Sequence, residues 1–245
     1  MNPLVTFDFH NTIATCDPWF YLEIRDLAAD VLEHIDPDLL AVASREDITA
    51  RYRTLREGVM ASGNEIDAVE SVSIIARDLG LELEQDAIHQ SVRHLMRETM
   101  DHVAPVPGAV EAIRAISGEG ISVGVVSSAV YHPFLEWTLD HFGATDHLAF
   151  VVTSASSGHY KSNPEIYRYA MNITDAEPAT SIHIGDSPKW DVWASQQAGM
   201  RGVWFSNGIT DTFLDRQPES EPDFTSSSMD DISSWVLGQL EIAVR

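Results

Sequence analysis

Short apolar segments alternate with amphipathic segments over residues 105–206. The apolar segments have the length of buried strands, whereas the amphipathic segments repeat their apolar residues at helical spacing. An alternation of this kind is typical of a parallel sheet with helices on both faces. We therefore predict strands at residues 121–126, 148–153, 181–184 and 202–205, and helices at residues 109–116, 132–142, 164–172 and 191–198.

A fifth strand is predicted at the N-terminus, where an apolar run begins at Leu4 and stops at Asp8. Residues 22–101 separate this strand from the second one, and they repeat apolar residues at helical spacing with few strand signals. Four helices of this kind form a small bundle of their own. We predict them at residues 21–35, 45–60, 65–80 and 83–101.

These elements predict an α/β fold, a three-layer doubly wound parallel sheet with an inserted all-helical cap. Residues 1–15 and 103–245 are assigned to the α/β core, and residues 16–102 to the cap. Near the C-terminus we expect a polar loop at residues 217–228, followed by a packing helix at residues 230–240.

Polar side chains stand where the predicted strands end. Asp8 ends the first strand, and Ser127 and Ser128 follow the second. Asp186 follows the fourth, and Lys161 lies eight residues after the third. Because the carboxyl ends of parallel strands meet at one edge of the sheet, we expect these side chains to converge there.

Each of these signals alone has an ordinary structural explanation. Ser127 is well suited to cap a helix, Asp186 to sit in a turn, and a lone lysine such as Lys161 to be solvated at the surface. Their shared position at strand exits is harder to obtain by accident. The set, more than any member, favours a functional site.

Four segments carry a family resemblance. Asp8 is followed four residues later by Thr12, and Ser127 ends the second strand. The other two segments are a lysine before a proline-containing helix start, and Gly-Asp with a second aspartate five residues after the first. As a set they resemble the haloacid dehalogenase superfamily, in its phosphoglycolate phosphatase-like branch with a helical cap. The segments are residues 8–12, 125–128, 161–167 and 185–191.

The resemblance implies a Mg²⁺-dependent phosphoric monoester hydrolase. Asp8 would attack the phosphorus atom and carry an aspartyl-phosphate, while Lys161 offsets negative charge and Ser127 bonds a phosphoryl oxygen. Magnesium prefers hard oxygen ligands, which carboxylates supply. By the family's pattern, the metal residues are Asp8, His10 through its main-chain carbonyl, Asp186 and, in an outer position, Asp191. The implied substrate-binding residues are Asn11, Thr12, Ser127, Ser128 and Lys161.

His10 departs from the family's pattern. Phosphatases of the superfamily usually have an aspartate at this position, two residues after the nucleophile, which protonates the leaving group and activates water. An imidazole titrates near pH ~6.5 and is suited to the same work. We therefore expect His10 to act as the acid and base, although a histidine that has lost this role remains an alternative.

Two other functions stay open. A dehalogenase of the superfamily would attack through Asp8 without a metal, but Asp186 would then place an unhelpful charge beside it. A catalytically weak domain that binds a phosphorylated ligand or a protein is the other alternative, and the altered position of His10 is its support. Phosphonate cleavage needs a cap lysine, and both lysines, Lys161 and Lys189, lie in the predicted core.

Composition narrows the class of partner. The net charge of −23 argues against nucleic acid and anionic membranes, and no 18-residue apolar run is present. A single cysteine, Cys16, excludes an intramolecular disulfide framework. With no signal peptide visible, we expect a cytoplasmic acidic enzyme, a monomer or homodimer, that acts on a small phosphorylated metabolite.

Several arginines of the cap are candidates for binding a second anionic group of the substrate. Their helical spacing is equally consistent with solvated side chains or with pairing to the many acids. They are therefore kept outside the predicted site. The residues are Arg51, Arg53, Arg56, Arg93 and Arg97.

Overall fold

The structure is a computed structural model that describes residues 2–208 and 220–244. All five strands predicted from the sequence are present, to within about two residues at each end. In chain order the strands are β1 Leu4–Phe7, β2 Ala14–Thr15, β3 Ala104–Pro105, β4 Ser122–Ser127, β5 Phe150–Thr153, β6 Ser181–Gly185, β7 Arg201–Phe205 and β8 Phe224–Ser226.

Helices cover both faces of the sheet, and the first five of them lie between β2 and β3 in the chain. In chain order they are α1 Asp17–Tyr21, α2 Leu27–Ile35, α3 Arg45–Ser62, α4 Ala68–Asp78, α5 Gln85–Glu98, α6 Ala109–Gly118, α7 His132–His141, α8 Ser154–Ser157, α9 Glu165–Ile173, α10 Ala194–Gln197 and α11 Met229–Val244. Among the described residues, no helix is both long enough and apolar enough to cross a bilayer.

The main sheet has the order β5-β4-β1-β6-β7-β8, and every neighbouring pair is parallel. The strand β1 lies at its centre and all four of its residues are buried, as expected for a strand covered on both faces. The chain runs outward from β1 to β4 and β5, and then returns to β6 on the other side. This reversal beside β1 is the switch point at which doubly wound sheets bind ligands. The predicted fold class is confirmed.

The helices α1 to α5 are inserted between β1 and β4, and we call residues 16–102 the helical insert. The strands β2 and β3 pair antiparallel where the chain enters and leaves it, with Ala14 opposite Pro105 and Thr15 opposite Ala104. The sequence contained no signal for this short ladder. The division into a core and a separate cap domain stays a prediction.

The prediction of a polar loop at residues 217–228 is wrong for residues 224–226, which form the edge strand β8. Two contacts explain why this polar segment is ordered. The Phe224 ring stacks on Trp235 of α11 with centroids 5.1 Å apart, and the Gly202 N–H donates to the Asp223 carboxylate at 2.9 Å. Residues 217–219 lie outside the described residues.

Two predicted helices are not regular α-helices. The helix predicted at residues 21–35 contains a π-helical segment, Leu22–Asp26, between α1 and α2. The helix predicted at residues 191–198 is preceded and partly replaced by a second π-helical segment, Pro188–Trp193. Apolar periodicity does not distinguish these windings over so few residues, and π-helical segments occur often at functional sites.

Candidate active site

The pairing of β1 with β4 and β6 brings together three of the four segments that carry the family resemblance, namely residues 8–12, 125–128 and 185–191. Phe7 of β1 pairs with Val125 of β4 on one side and with Ile184 of β6 on the other. The next residue, Asp8, therefore leaves the sheet between the ends of these two strands. Its N–H donates to the Ile184 carbonyl at 2.8 Å, which extends the parallel ladder by one bond. Asp8 is thus held by the sheet itself, close to Ser127 and Asp186.

Lys161 joins two of the acids. Its Nζ lies 2.5 Å from Asp8 Oδ1 and 2.5 Å from Asp191 Oδ1. The three side chains are buried, with exposed fractions of 3% for Lys161, 7% for Asp8 and 1% for Asp191. Burial alone would lower the pKa of Lys161, but the two carboxylates raise it above its usual value, so the ammonium form persists. The loop after β5 is placed by Ser128, whose Oγ accepts the Lys161 N–H at 3.1 Å.

Asp191 is held from three sides. Besides Lys161, its carboxylate accepts the Ser187 N–H at 2.8 Å and lies 3.2 Å from His183 Nε2. Burial would raise the pKa of Asp191, but Lys161 and His183 together lower it below its usual value. This carboxylate therefore stays ionised and fixed in place.

His183 is a site residue that the sequence analysis missed. It lies inside β6 with no exposed surface, and its Nδ1 is 2.8 Å from Thr6 Oγ1 on β1. Burial lowers the pKa of His183 to about 4, so the ring is neutral and supports Asp191 without carrying charge. A histidine within an apolar strand, two residues before the Gly-Asp pair, was the available signal.

Gly185 allows Asp191 to reach its place. A Cβ atom on Gly185 would overlap the Asp191 side chain, including its carboxylate carbon and Oδ2. The φ angle at Gly185 is not positive, so the requirement is for space and not for a left-handed backbone. The glycine in the Gly-Asp motif is therefore explained by this close approach.

Asp8, Asp186 and Asp191 form an acidic cluster, with ligand oxygens all within 4.8 Å of one another. Burial raises the pKa of Asp8 to about 6 in spite of Lys161. Burial, followed by repulsion from Asp191 and Asp8, raises the pKa of Asp186 well above its usual value. Asp186 Oδ2 is buried with no hydrogen-bond partner among the described residues. A hard divalent cation is the kind of group that fits these oxygens.

His10 and Asn11 form the turn that follows Asp8. The His10 ring stacks on Phe20 of α1, with centroids 4.5 Å apart and planes 9° apart, and meets Trp19 edge-on at 5.6 Å. Asn11 has a positive φ of 59°, a conformation that asparagine tolerates, and its carbonyl accepts the Asn207 amide at 2.7 Å. The helical insert therefore fixes the position of the imidazole.

A cavity of about 90 Å³ opens at this edge of the sheet, and we call it the catalytic cavity. Of the predicted site residues, Thr12 does not line it: this side chain is fully buried, and its role stays a prediction. The predicted residues that line it are Asp8, His10, Asn11, Ser127, Ser128, Lys161, Asp186 and Asp191.

The helical insert contributes a wall that the sequence did not identify, made of Trp19, Phe20, Glu23 and Ile24. Glu23 is buried and accepts the Val130 N–H at 3.1 Å, and burial raises the pKa of its carboxyl well above the usual value. Helical periodicity indicates which face of a helix is apolar, but it does not indicate what that face covers.

Known proteins resemble this chain both in sequence and in structure. A family model described as haloacid dehalogenase-like hydrolase matches residues 3–199. Glyceraldehyde 3-phosphate phosphatase from Pyrococcus furiosus is 24% identical over 206 residues, which are 84% of this chain and 81% of that protein. The haloacid dehalogenase-like hydrolase domain-containing protein 3 of Bos taurus is 34% identical over 93 residues, 38% of this chain and only 36% of that protein.

Among solved structures, a 2-haloacid dehalogenase from Pseudomonas syringae pv. Tomato DC3000 superimposes with a TM-score of 0.69. The match covers 98% of this chain and 99% of that one, at 18% sequence identity. At this identity the likeness shows a shared fold and does not extend to the reaction.

Proposed function

Because the chain belongs to the haloacid dehalogenase-like hydrolase family, we propose that it is a metal-dependent phosphatase that hydrolyses a small phosphomonoester. Asp8 is the nucleophile of this proposal. The observation that carries it is the ion pair of Lys161 with both Asp8 and Asp191, beside an Asp186 carboxylate whose Oδ2 is unsatisfied. A phosphate ester is an anion. The site supplies an attacking carboxylate, Lys161 offsets part of the negative charge, and a divalent cation at the acidic cluster would offset more of it.

A relative supports the choice of a phosphate ester over other hydrolysable groups. The Pyrococcus furiosus protein, aligned over most of both chains, is by its name a phosphatase of glyceraldehyde 3-phosphate. We carry over the class of bond and not the identity of the substrate, since the side chains of the helical insert determine what lies beyond the phosphate.

Mg²⁺ is the proposed metal, held by the Asp8 and Asp186 carboxylates and the main-chain carbonyl of His10. When bound, it neutralises negative charge on the phosphate oxygens. Asp191 is assigned a positioning role, because Lys161, His183 and the Ser187 N–H already occupy its oxygens. It orients Lys161, which in turn keeps Asp8 ionised and aimed at the catalytic cavity.

In the first step a carboxylate oxygen of Asp8 attacks phosphorus, and the bond from phosphorus to the ester oxygen breaks. The electron pair leaves with that oxygen, which takes a proton from the His10 imidazolium. Ser127 donates a hydrogen bond to a phosphoryl oxygen, and Lys161 offsets the charge of the group being transferred. The product on the enzyme is an aspartyl-phosphate on Asp8.

In the second step the neutral His10 takes a proton from a water molecule, which attacks the same phosphorus atom. The bond between phosphorus and the Asp8 oxygen breaks, so the carboxylate is restored and inorganic phosphate is released. His10 ends the cycle protonated, as it began. The stacking of its ring on Phe20, and the cavity that it lines together with Asp8, support this role.

The dehalogenase alternative is disfavoured by the acidic cluster. A halogenated acid is itself an anion, and without a metal it would meet three buried carboxylates, of which Lys161 pairs only with Asp8 and Asp191. Coulomb repulsion in a buried site is costly, so a pair of carboxylates there is best explained by a divalent cation.

The test is hydrolysis of 4-nitrophenyl phosphate with Mg²⁺, measured for the wild type and for Asp8→Asn. We expect the variant to lose at least about 10³-fold in kcat, since an amide cannot form the covalent intermediate. Circular dichroism and thermal unfolding show whether the variant is folded. The exposed Asp140→Asn is the matched control and should keep the wild-type rate.

Wild-type turnover by Asp8→Asn would overturn the nucleophile assignment. A different result separates the binding alternative. If the wild type hydrolyses none of several dozen sugar, organic-acid and nucleotide phosphates, yet binds one of them in calorimetry, then the domain is a phospho-ligand-binding module.

A further inference from the structure

A second cavity of about 600 Å³ adjoins the catalytic cavity, and we call it the outer cavity. Its volume falls within the range of pockets that hold whole small-molecule ligands. The two cavities share part of their lining, and we call the boundary formed by the shared residues the passage. Of the described residues, those that line both are Phe20, Glu23, Ile24, Ser128, Tyr160 and Trp190.

The passage between the cavities is mainly apolar and aromatic. Phe20 and Ile24 come from the helical insert, and Tyr160 and Trp190 from the core. The Tyr160 and Trp190 rings meet edge-on at 6.1 Å, and Phe20 is the ring on which His10 stacks. A group attached to the scissile phosphate would therefore leave the catalytic cavity between flat apolar surfaces, with the proposed acid at its entrance.

In the wall beyond this passage, basic side chains outnumber acidic ones. Among the described residues, Arg25, Arg53, Arg56 and Lys189 line the outer cavity, although the whole chain has only 15 basic residues against 38 acidic ones. Glu57 is the exposed acid of this wall. The other acid, Glu23, is buried, and its carboxylate accepts the Val130 N–H. In a protein with a net charge of −23, this wall is a local exception.

Three of the four cations are already engaged. Arg56 is buried and donates to Glu65 at 2.6 Å, and Arg25 binds both oxygens of Asp26 at 2.8–3.0 Å. Lys189 Nζ lies 4.7 Å from the centre of the Trp190 ring. The guanidinium of Arg53, in contrast, forms no hydrogen bond or ion pair with any residue in the described part of the chain.

We propose that the outer cavity binds the leaving group of the substrate, and that this substrate is an elongated phosphomonoester with two anionic ends. A flat apolar section would occupy the passage, and a second anionic group, a carboxylate or phosphate, would pair with Arg53. The proposal rests on the phosphatase function proposed above. A three-carbon phosphate ester would leave most of the outer cavity filled with water, whereas an elongated one displaces that water and satisfies the arginine.

The test compares three aryl phosphates of increasing reach: phenyl phosphate, 2-naphthyl phosphate and 6-carboxy-2-naphthyl phosphate. Burial of the second ring should raise kcat/KM about 5-fold over phenyl phosphate. The carboxylate should raise kcat/KM by a further factor of about 5 to 10. This factor lies between the effect expected of an exposed ion pair and that of a buried hydrogen bond to a charged group. The Arg53→Gln variant should lose the gain from the carboxylate, and Arg53→Lys should keep part of it.

The matched control is Arg51→Gln. Arg51 is an exposed arginine of the same helix α3, but it pairs with Asp47 and lines a different cavity. This variant should keep the wild-type ratio of kcat/KM between the carboxylated and uncarboxylated naphthyl phosphates. Equal loss of that ratio in Arg51→Gln and Arg53→Gln would overturn the proposal, because it would reflect the general charge of the surface.

Failure of this proposal is distinguishable from failure of the phosphatase function. If phenyl phosphate is hydrolysed in an Asp8-dependent reaction but neither the ring nor the carboxylate improves it, only the substrate class is wrong. If no aryl phosphate is hydrolysed, fluorescence titration of 6-carboxy-2-naphthyl phosphate still tests the outer cavity. Binding to the wild type at least about 5-fold tighter than to Arg53→Gln supports the proposal, and equal binding overturns it.

Discussion

At the scale of single residues, the site contains more buried negative charge than its lysine can balance. Lys161 lies between Asp8 and Asp191, and Asp186 has no counter-charge of its own. An uncompensated buried carboxylate costs several kcal/mol, which the raised pKa values of Asp8 and Asp186 reflect. This excess of buried negative charge strains the site, and a divalent cation could relieve it.

This strain predicts that Asp186→Asn stabilises the metal-free protein. The folded-state pKa of Asp186 is raised above the unfolded value of 3.8, so its contribution to stability is present below pH 3.8 and is lost as pH rises. At pH 7.5 and in chelator we expect a gain of about 1–3 kcal/mol, at about 2–4 °C in Tm for each kcal/mol. The gain should shrink as the pH is lowered toward 4, as thermal unfolding would reveal.

The same variant should respond differently to metal. Added MgCl₂ should raise the Tm of the wild type by mass action and leave that of Asp186→Asn unchanged. The exposed Asp140→Asn, which makes the same change of charge, should behave as the wild type throughout. A Tm of Asp186→Asn that rises with Mg²⁺ as much as that of the wild type would contradict the assigned ligand.

The contribution of His10 to the rate is expected to be larger for a poorer leaving group. An alkoxide needs a proton as it departs, whereas 4-nitrophenolate is stable without one. His10→Ala should therefore reduce kcat about 10²- to 10⁴-fold for an alkyl phosphate, and less than about tenfold for 4-nitrophenyl phosphate. His10→Asp, which restores a side chain able to carry a proton, should recover most of the alkyl activity. Equal losses on both substrates would mean that His10 moves no proton to the leaving group.

At the scale of elements, the junction of β6 with the π-helical segment Pro188–Trp193 positions the second half of the site. The wider π-helical winding brings Asp191 back over Gly185 at the end of the strand, and Ser187 donates its N–H to the returning carboxylate. Strand, turn and helix thus converge within seven residues.

This junction predicts a strong effect of Gly185→Ala. The added Cβ would overlap the Asp191 carboxylate and displace it from Lys161 and His183. Overpacking of this kind costs about 1–3 kcal/mol, and misplacement of a catalytic group by about 1 Å costs on the order of 10²-fold in rate. Chemical denaturation and 4-nitrophenyl phosphate kinetics would measure both losses.

Gly118→Ala is the control for that experiment. Gly118 is the last residue of α6, and nothing lies within 4 Å of the Cβ that it would gain. It should leave activity unchanged and stability equal or slightly higher, as alanine favours helix. Wild-type kinetics in Gly185→Ala would show that the close approach to Asp191 is not required.

At the scale of the whole molecule, the order of elements along the chain made much of the fold and site predictable. Parallel strands end at one edge, so Asp8, Ser127 and Asp186 could be brought together from spacing alone. The angle at which the helical insert lies over that edge cannot be predicted from the spacing of apolar residues. Phe20 and Glu23 were therefore missed, and so was β8, whose order depends on contacts with distant residues.

The position of Phe20 also affects which substitutions the site is expected to tolerate. This ring stacks on His10 and also lines the outer cavity, so under the proposed function we expect its replacement to alter bond breaking and ligand choice together. Arg53 lies on α3 and lines the outer cavity but not the catalytic cavity, so we expect its replacement to leave the catalytic residues in place. We therefore expect substitutions on α3 to change substrate preference at less cost to the rate than substitutions of Phe20.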